Sequence, residues 1–166
     1  MDDGGFVHEV YDASYRRLVG QLVGITGSLA EAEDVVQEAF VRACDHARTF
    51  RATDNPEAWL RTVAVNLARS RWRRLKRWSG LVPSLVDRTV GDGLSPDHVA
   101  LVEALKRLPE AQREAIALHH IADLPVHEIA ATLGVPVGTV KARLSRGRVA
   151  LAALLSEDSC SEAPHA

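Results

Sequence analysis

The chain has 166 residues, of which 46% are hydrophobic and 25% charged. These are values of a folded globular protein, so the composition excludes wholesale disorder, and no apolar run is long enough to span a membrane. The net charge of −2 hides an alternation: −6 over residues 1–57, +7 over 58–78, −4 over 79–128, +4 over 129–155 and −3 over 156–166. The two basic segments, rather than the overall charge, therefore decide whether the chain can bind nucleic acid.

The first two predicted helices occupy about residues 6–25 and 29–47. Gly27 and Ser28 interrupt the helical pattern between them, and Ser28 followed by Glu31 is typical of a capping box. The periodicity of the second helix buries one face, on which Cys44 also lies, and exposes an acidic one. The predicted buried residues are Val35, Val36, Ala39, Phe40 and Ala43, and the predicted exposed ones are Glu31, Asp34, Gln37, Glu38 and Arg42.

A predicted loop over residues 49–55 leads into a basic helix over about 55–78, which Asn55 caps. From Ala58 to Trp78 this segment has seven basic residues and no acid. The predicted apolar stripe is Leu60, Val63, Ala64, Leu67 and Leu75, and the opposite face carries Thr62, Asn66, Arg69, Arg73 and Lys76 or Arg77. With Trp59, Trp72 and Trp78 nearby, the helix fits nucleic acid, because cations follow phosphates and rings stack on unpaired bases. The alternative is a solvated basic face with the tryptophans in the core.

Glycines and prolines interrupt the helical pattern between residues 79 and 95, which predicts a linker between two domains. Four helices follow, over about residues 96–107, 109–121, 125–133 and 136–155, each beginning at a proline. From Ser156 the chain is predicted to be a flexible tail. Since no segment shows the alternating pattern of a strand, we expect an all-α protein of two small helical domains.

Residues 125–155 have the pattern of a helix-turn-helix, with Gly134 in the turn and Gly147 where a second helix can approach. The second helix has no acid, and its solvent face carries Gly138, Thr139, Ala142, Ser145 and Arg146, flanked by Lys141, Arg143 and Arg148. Residues at the centre of such a face reach base edges, and those on its flanks reach phosphates. The alternative is a helical hairpin with a solvated basic face.

Three motifs in this order resemble sigma-70 family transcription initiation factors of the extracytoplasmic-function (ECF) group. They are AEDVVQEAFVRA (32–43), NPEAWLRTVAVNLARSR (55–71) and the segment 108–148 that contains the helix-turn-helix. The resemblance implies a region 2 helix bundle over residues 6–78, a linker over 79–95, a region 4 helix-turn-helix over 96–155 and a tail over 156–166. It also implies a factor that binds core RNA polymerase, recognises −10 and −35 promoter elements and melts the promoter.

The resemblance carries residue roles with it. It places Asp34, Gln37, Glu38 and Phe40 on the helix that docks on the clamp helices of the polymerase β′ subunit, and region 4 against the β flap. For the −10 element, Asn66 and Arg69 lie on the reading helix, with Thr62 and Arg73 on the same predicted face. Phe50, Arg51 and Asn55 lie in the loop that, in the family, pockets a flipped-out base. For the −35 element, the aligned positions are Thr139, Lys141, Ala142, Arg143, Ser145 and Arg146.

The chain departs from the family pattern at two of its predicted interfaces. Cys44 stands where the family often has an aromatic residue, and Ala142 where it often has a serine. Ala142 removes a hydroxyl from the centre of the predicted reading face, so the base preference there is open. Family members are commonly held inactive by a cognate anti-sigma factor, and an apolar patch over residues 81–86 and the lack of a sensor domain suggest the same here.

Other functions have less support in the sequence. His119, His120 and His127 lack a cysteine or paired carboxylates at ligand spacing, so no metal site is predicted. No nucleophile–base pattern or glycine-rich phosphate loop is present, and we expect neither an enzyme nor a cofactor. Two distant cysteines and no secretion signal indicate a cytoplasmic protein without direct membrane contact. The competing hypotheses are a free-standing helix-turn-helix regulator and a helical adaptor that binds only protein.

Overall fold

The structure, a computed structural model, describes residues 3–79 and 95–161. Within these ranges every regular element is a helix, which confirms the all-α prediction. The chain divides into two compact units, Met1–Gly91 and Asp92–Ala166. Most of the predicted linker, including the apolar patch over 81–86, lies outside the described residues.

The first unit contains four helices: α1 (Asp3–Thr26), α2 (Leu29–Asp45), α3 (Ala47–Arg51) and α4 (Pro56–Ser79). Ser28 caps α2 as predicted, since its side chain accepts a hydrogen bond from the Glu31 backbone nitrogen at 3.3 Å. Asn55 caps α4 in the same way, with Oδ1 accepting from the Ala58 nitrogen at 3.0 Å. Part of the predicted loop over 49–55 was wrong, because α3 continues to Arg51, where the burial of Phe50 holds a helical turn in place.

The core of the first unit forms where α1, α2 and α4 pack together and α3 closes one end. Its fully buried large side chains are Leu18, Leu22, Val35, Val36, Phe50, Leu60 and Val65. One prediction for α4 was wrong, since Leu75 is 46% exposed, and two buried residues, Val65 and Ala68, were missing from the predicted stripe. The buried face of α4 is therefore wider near its start than the predicted stripe and does not extend to Leu75.

The second unit contains α5 (Pro96–Lys106), α6 (Glu110–Ile116), a π-helical turn (Ala117–Ile121), α7 (Val126–Leu133) and α8 (Val137–Ser161). Ser95 caps α5, and prolines stand at or just before the starts of the four α-helices, as predicted. In the π-helical turn, the Ala122 nitrogen donates to the Ala117 carbonyl at 3.1 Å, five residues back. Such a turn shifts the register of the helix that enters the helix-turn-helix.

Helix α8 continues to Ser161, beyond the predicted end at Leu155. No glycine or proline interrupts it after Gly147, and Arg107, just after α5, lies 3.6 Å from a Glu157 carboxylate oxygen and 3.5 Å from one of Asp158. These weak ion pairs join the end of α8 to α5. Part of the predicted tail is thus helical, and residues 162–166 lie outside the described range.

Candidate functional site

The predicted docking helix, α2, presents a polar face on the first unit. Asp34 and Gln37 are exposed, and Gln37 Nε2 donates to the Tyr15 hydroxyl at 3.2 Å. Phe40, in contrast, is only 5% exposed and packs edge-on against Tyr11 at 5.0 Å between ring centroids. The structure therefore places Phe40 in the core, where it supports the docking face from below.

Glu38, a predicted docking residue, forms ion pairs with arginines of two helices. One carboxylate oxygen lies 3.1 Å from Arg42 on α2, and the other 3.1 Å from Arg71 on α4. Arg71 also lies 3.4 Å from Glu31. Ser28 caps the backbone of α2 as predicted, and the Glu31 carboxylate reaches Arg71. Sequence spacing had placed Glu31 and Glu38 on an exposed face but gave no sign of a partner 33 residues away in α4.

An apolar groove runs beside this face, between the first half of α1 and the second half of α2. Its lining includes Val7, Tyr11, Phe40, Val41 and Cys44. Val41 is 58% exposed, and the Tyr11 ring stacks on Tyr15 at 4.6 Å. The expectation that Cys44 packs in the core was wrong, since its side chain is exposed at the groove. Helical periodicity places Cys44 at the edge of the buried face. At such an edge, periodicity alone does not determine whether a side chain packs in the core or lines a surface groove.

The predicted base pocket has a hydrophobic support. Phe50 is fully buried, with its ring 5.1 Å from that of Trp59 and 5.8 Å from that of Phe6. Phe50 therefore cannot present its ring to a base in this conformation, which corrects its predicted role as a direct contact. Arg51 is half-buried, and Asn55 is exposed but uses its side-chain oxygen as the α4 cap.

The outer face of α4 carries the predicted −10 residues. Asn66 and Arg73 are exposed, and Thr62 and Arg69 are partly exposed. At 100° per residue, Asn66, Ser70, Arg73 and Arg77 form one line along the helix, with Arg74 beside it. All five of these side chains are exposed. Arg74 was missing from the predicted face, although it is one turn beyond Ser70 and its exposure follows from the same helical spacing.

Two of the seven basic residues of α4 do not belong to that face. Arg61 is buried, with Nε donating to Gln21 Oε1 at 2.9 Å and Nη2 to Glu57 at 3.3 Å. Glu57 also accepts two hydrogen bonds from Arg17 on α1. The Arg17 hydrogen bonds lower the pKa of Glu57, and burial only partly opposes them. Arg61 and Arg71 thus contribute to packing of α4 against α1 and α2, which periodicity alone did not reveal.

The helix-turn-helix of the second unit forms as predicted. Gly134 ends α7 in the left-handed region, with φ of 67°, which glycine adopts without strain. The buried Gly147 allows close contact with α6, because a Cβ built there would lie 2.8 Å from Ile116 Cγ1. Helix α8 is therefore fixed by Val140, Leu144 and Gly147 on its inner face.

The outer face of α8 carries the six predicted −35 residues with unequal exposure. Lys141, Ser145 and Arg146 are exposed, and Thr139, Ala142 and Arg143 are partly exposed. In Arg143, one terminal nitrogen is buried without a hydrogen-bond partner among the described residues. Part of the Arg143 guanidinium therefore lies against the protein rather than on the outer face, at a cost in free energy for the unpaired donor.

His119 and His120, two histidines of the second unit, make hydrogen bonds with their neighbours. His119 Nδ1 lies 3.0 Å from the Leu124 carbonyl, and Arg148 Nε lies 3.4 Å from His120 Nε2. Burial, together with the charges of His119 and Arg148, lowers the pKa of His120. Among the residues that the structure describes, no cluster of three or more histidines, cysteines and carboxylates is arranged to hold a metal ion. Nor is any helix within those ranges long and apolar enough to cross a membrane.

The comparisons with known families agree with this two-unit arrangement. Residues 10–78 match the model of Sigma-70 region 2, and residues 98–151 match that of Sigma-70, region 4. The first of these matches leaves the free-standing helix-turn-helix regulator without support, since such a regulator has no need of region 2.

Curated relatives and solved structures point the same way. The chain is 32% identical to the ECF RNA polymerase sigma factor SigW of Bacillus subtilis, over 86% of this chain and 81% of that protein. It is 32% identical to SigL of Mycobacterium tuberculosis, over 93% and 92% respectively. The sigma factor RpoE of Bartonella quintana, solved with the anti-sigma factor NepR, superposes with a TM-score of 0.74 at 27% identity, covering 92% of this chain and 97% of that one. CnrH, solved with the cytosolic domain of CnrY, gives a TM-score of 0.65 at 26% identity, covering 92% and 88%. On these matches the chain belongs to the extracytoplasmic-function group of the sigma-70 family of RNA polymerase sigma factors.

Proposed function

We propose that the first unit, over residues 6–78, binds core RNA polymerase through α2 and the −10 element through α4. The observation that carries this is the exposure of both faces on one small bundle. Asp34 and Gln37 are exposed on α2, and Asn66, Arg73 and Arg77 are exposed on α4. The docking face meets the β′ clamp helices, and exposed side chains of the groove beside it, Tyr11 and Val41, provide the apolar part of that contact. An interface of this kind needs an apolar centre with a polar rim.

Promoter melting follows from differential binding rather than from chemistry in this chain. The factor holds an unstacked strand more tightly than the duplex, so that capture of a base offsets the cost of unpairing, about a few kcal/mol. Arg51 and Asn55 lie where a captured base enters, and Phe50 fixes that turn through its contact with Trp59. On this proposal the protein is not an enzyme and needs no cofactor.

The second unit, over residues 96–155, reads the −35 element with α8 and meets the β flap. Exposed Ser145 and Arg146 reach base edges, and Lys141 reaches a phosphate. Ala142 offers a methyl group rather than a hydroxyl, which suits the C5-methyl of a thymine. Residues 79–95 act as the linker between the two units.

The relatives also suggest how the protein is controlled. RpoE was solved with the anti-sigma factor NepR, and CnrH with the cytosolic domain of CnrY. By analogy, this chain also has a cognate anti-sigma factor, which occupies the surfaces that polymerase needs. Both proteins act in the cytoplasm.

Co-elution with core RNA polymerase on a sizing column tests the proposal. Wild-type protein is expected to co-elute, and Asp34→Arg combined with Gln37→Arg is expected to abolish co-elution, because two cations replace a polar docking face. Arg16→Glu is a control on an exposed α1 residue and should leave co-elution intact. Co-elution of the α2 double variant with polymerase would show that the docking face lies elsewhere. Failure of folded wild-type protein to co-elute would refute the proposal.

A further inference from the structure

Arg71, a basic residue of α4, has its guanidinium between two carboxylates of α2, the proposed docking helix. It contacts Glu38 at 3.1 Å and Glu31 at 3.4 Å, and its side chain is 30% exposed. Glu31 and Glu38 are seven residues apart, two turns along α2, so the forked guanidinium of an arginine can bridge them where a lysine cannot. The arrangement joins the proposed polymerase-binding helix to the proposed DNA-binding helix through a single side chain.

The position of Arg71 on α4 makes it a neighbour of the cationic face. It lies one turn before Arg74, which is exposed beside the line of Asn66, Arg73 and Arg77. A long arginine side chain at this edge can turn either towards α2 or towards a phosphate in front of Arg74. In the structure it turns towards α2, where the two carboxylates neutralise it.

We propose that Arg71 is a further DNA-binding residue, which Glu38 and Glu31 hold away from DNA until polymerase contacts Glu38. This rests on the proposed function, in which Glu38 is part of the docking face. A polymerase group that binds Glu38 takes the shorter of the two ion pairs from Arg71. The guanidinium is left with Glu31 at 3.4 Å and gains a phosphate as its new partner, so docking on polymerase and binding of DNA support each other.

The electrostatic cost of this exchange is small enough for it to occur. Arg71 and Glu38 are 30% and 41% exposed, so their pair is screened by solvent and contributes little stability. Phosphate oxygens accept from arginine in the same forked geometry as a carboxylate. The exchange therefore replaces one partly screened ion pair by another, without leaving a buried charge unpaired.

Free-protein DNA binding tests this directly, with a fluorescent duplex carrying a −10 and a −35 element at low salt. Glu38→Gln removes the carboxylate that pairs with Arg71, as polymerase docking is proposed to do. It is expected to raise the affinity for DNA about fivefold, the upper end for an exposed ion pair. It is also expected to steepen the slope of log K against log salt by up to about 0.9, the value for one added phosphate contact. Glu33→Gln is the matched control: the same change on the same helix, at a carboxylate that makes no ion pair among the described residues.

A double-mutant cycle identifies the residue responsible. Every protein in the cycle also carries Arg42→Gln, which removes the other ion pair of Glu38. Glu38→Gln should then raise affinity more than Glu33→Gln when Arg71 is present, and equally in an Arg71→Gln background, because only long-range charge remains there. Arg71→Lys keeps the charge but not the forked guanidinium. In that background, most of the difference in DNA affinity between Glu38→Gln and Glu33→Gln should be lost. Thermal melting of each variant establishes that it is folded.

Three results would overturn the inference: equal effects of the two glutamate variants in the wild-type background, a Glu38→Gln excess that persists without Arg71, or no DNA binding by Glu38→Gln at the lowest salt. Promoter binding by the polymerase-bound wild type separates this from the proposed function. If the polymerase complex fails to bind promoter DNA, the proposed function fails. If it binds and the Glu38 excess is absent, only the role of Arg71 fails.

Discussion

Arg61 and Arg73 are the same residue type on the same helix, but the structure gives them opposite roles. Arg61 is buried and hydrogen-bonded to Gln21 and Glu57, whereas Arg73 is exposed on the cationic face. We predict that Arg61→Met destabilises the first unit and that Arg73→Met does not. Conversely, Arg73→Met should weaken DNA binding, and folded Arg61→Met protein should bind DNA as the wild type does.

The magnitude follows from the groups that Arg61→Met leaves behind. Gln21 is 5% exposed, so its side-chain oxygen loses its partner in a buried site, which costs about 1–3 kcal/mol. Glu57 keeps Arg17 as a partner and adds little to this cost. We therefore expect a loss of about 2 kcal/mol, and a melting temperature lower by about 8–16 °C for a unit of this size.

Urea unfolding monitored by circular dichroism measures the first effect, and DNA titration at several salt concentrations the second. A further variant checks the cause: Gln21→Met added to Arg61→Met should recover part of the lost stability, because replacing both partners by apolar groups leaves nothing unpaired. Wild-type stability of Arg61→Met would refute the assignment of Arg61 to the packing of α4. So would a loss of DNA affinity equal to that of Arg73→Met in folded protein.

Three other variants test separate parts of the structure. Arg77→Gln should reduce the slope of log K against log salt by about 0.9, so that raising salt from about 50 to 200 mM weakens wild type about 3.5-fold more than the variant; an unchanged slope would remove Arg77 from the DNA face. The lowered pKa of Glu57 means that its stabilisation, about 1 kcal/mol, is present above its unfolded pKa and lost as pH falls through its folded pKa. The stability difference between wild type and Glu57→Gln in urea should therefore shrink from pH 6 to pH 3, and a constant difference would contradict it. Gly147→Ala should destabilise the second unit by about 1–2 kcal/mol, since the added Cβ meets Ile116 at 2.8 Å. In an Ile116→Ala background the same change should instead stabilise by about 0.5–1 kcal/mol through helix propensity, and a cost that stays the same in thermal melts would disprove close packing there.

Helix existence and type were predictable because caps and breakers are local signals. Ser28, Asn55 and Ser95 each cap the helix that follows them. Gly134 ends α7 with the positive φ that its place in a helix-turn-helix requires. These features depend on residues within a few positions of one another, so the sequence contains the information needed to find them.

The roles of individual charged residues were less predictable, because they depend on partners distant in sequence. Arg61 meets Gln21, 40 residues away, and Arg71 meets Glu38, 33 residues away. Helical periodicity treats both arginines as members of one basic segment. Exposure at the edge of a helix is similarly ambiguous: Cys44 follows the buried Ala43 but is exposed, and Phe50 is buried in a segment that reads as a loop.

The distribution of charge between helices bears on how one small unit serves two partners. Of the seven basic residues in α4, Arg61 and Arg71 are paired with acids or amides of α1, α2 and α4 itself, and the exposed Arg73, Arg74, Lys76 and Arg77 lie in its last two turns. Repulsion among so many cations on a single helix would otherwise oppose its formation. The acids of α2 reduce that repulsion near the middle of α4 and keep the positive potential at its end. On the proposed function, the cationic end attracts DNA and the acidic face of α2 beside it remains available to polymerase. The same ion pairs then stabilise the bundle and keep the two proposed surfaces electrostatically distinct.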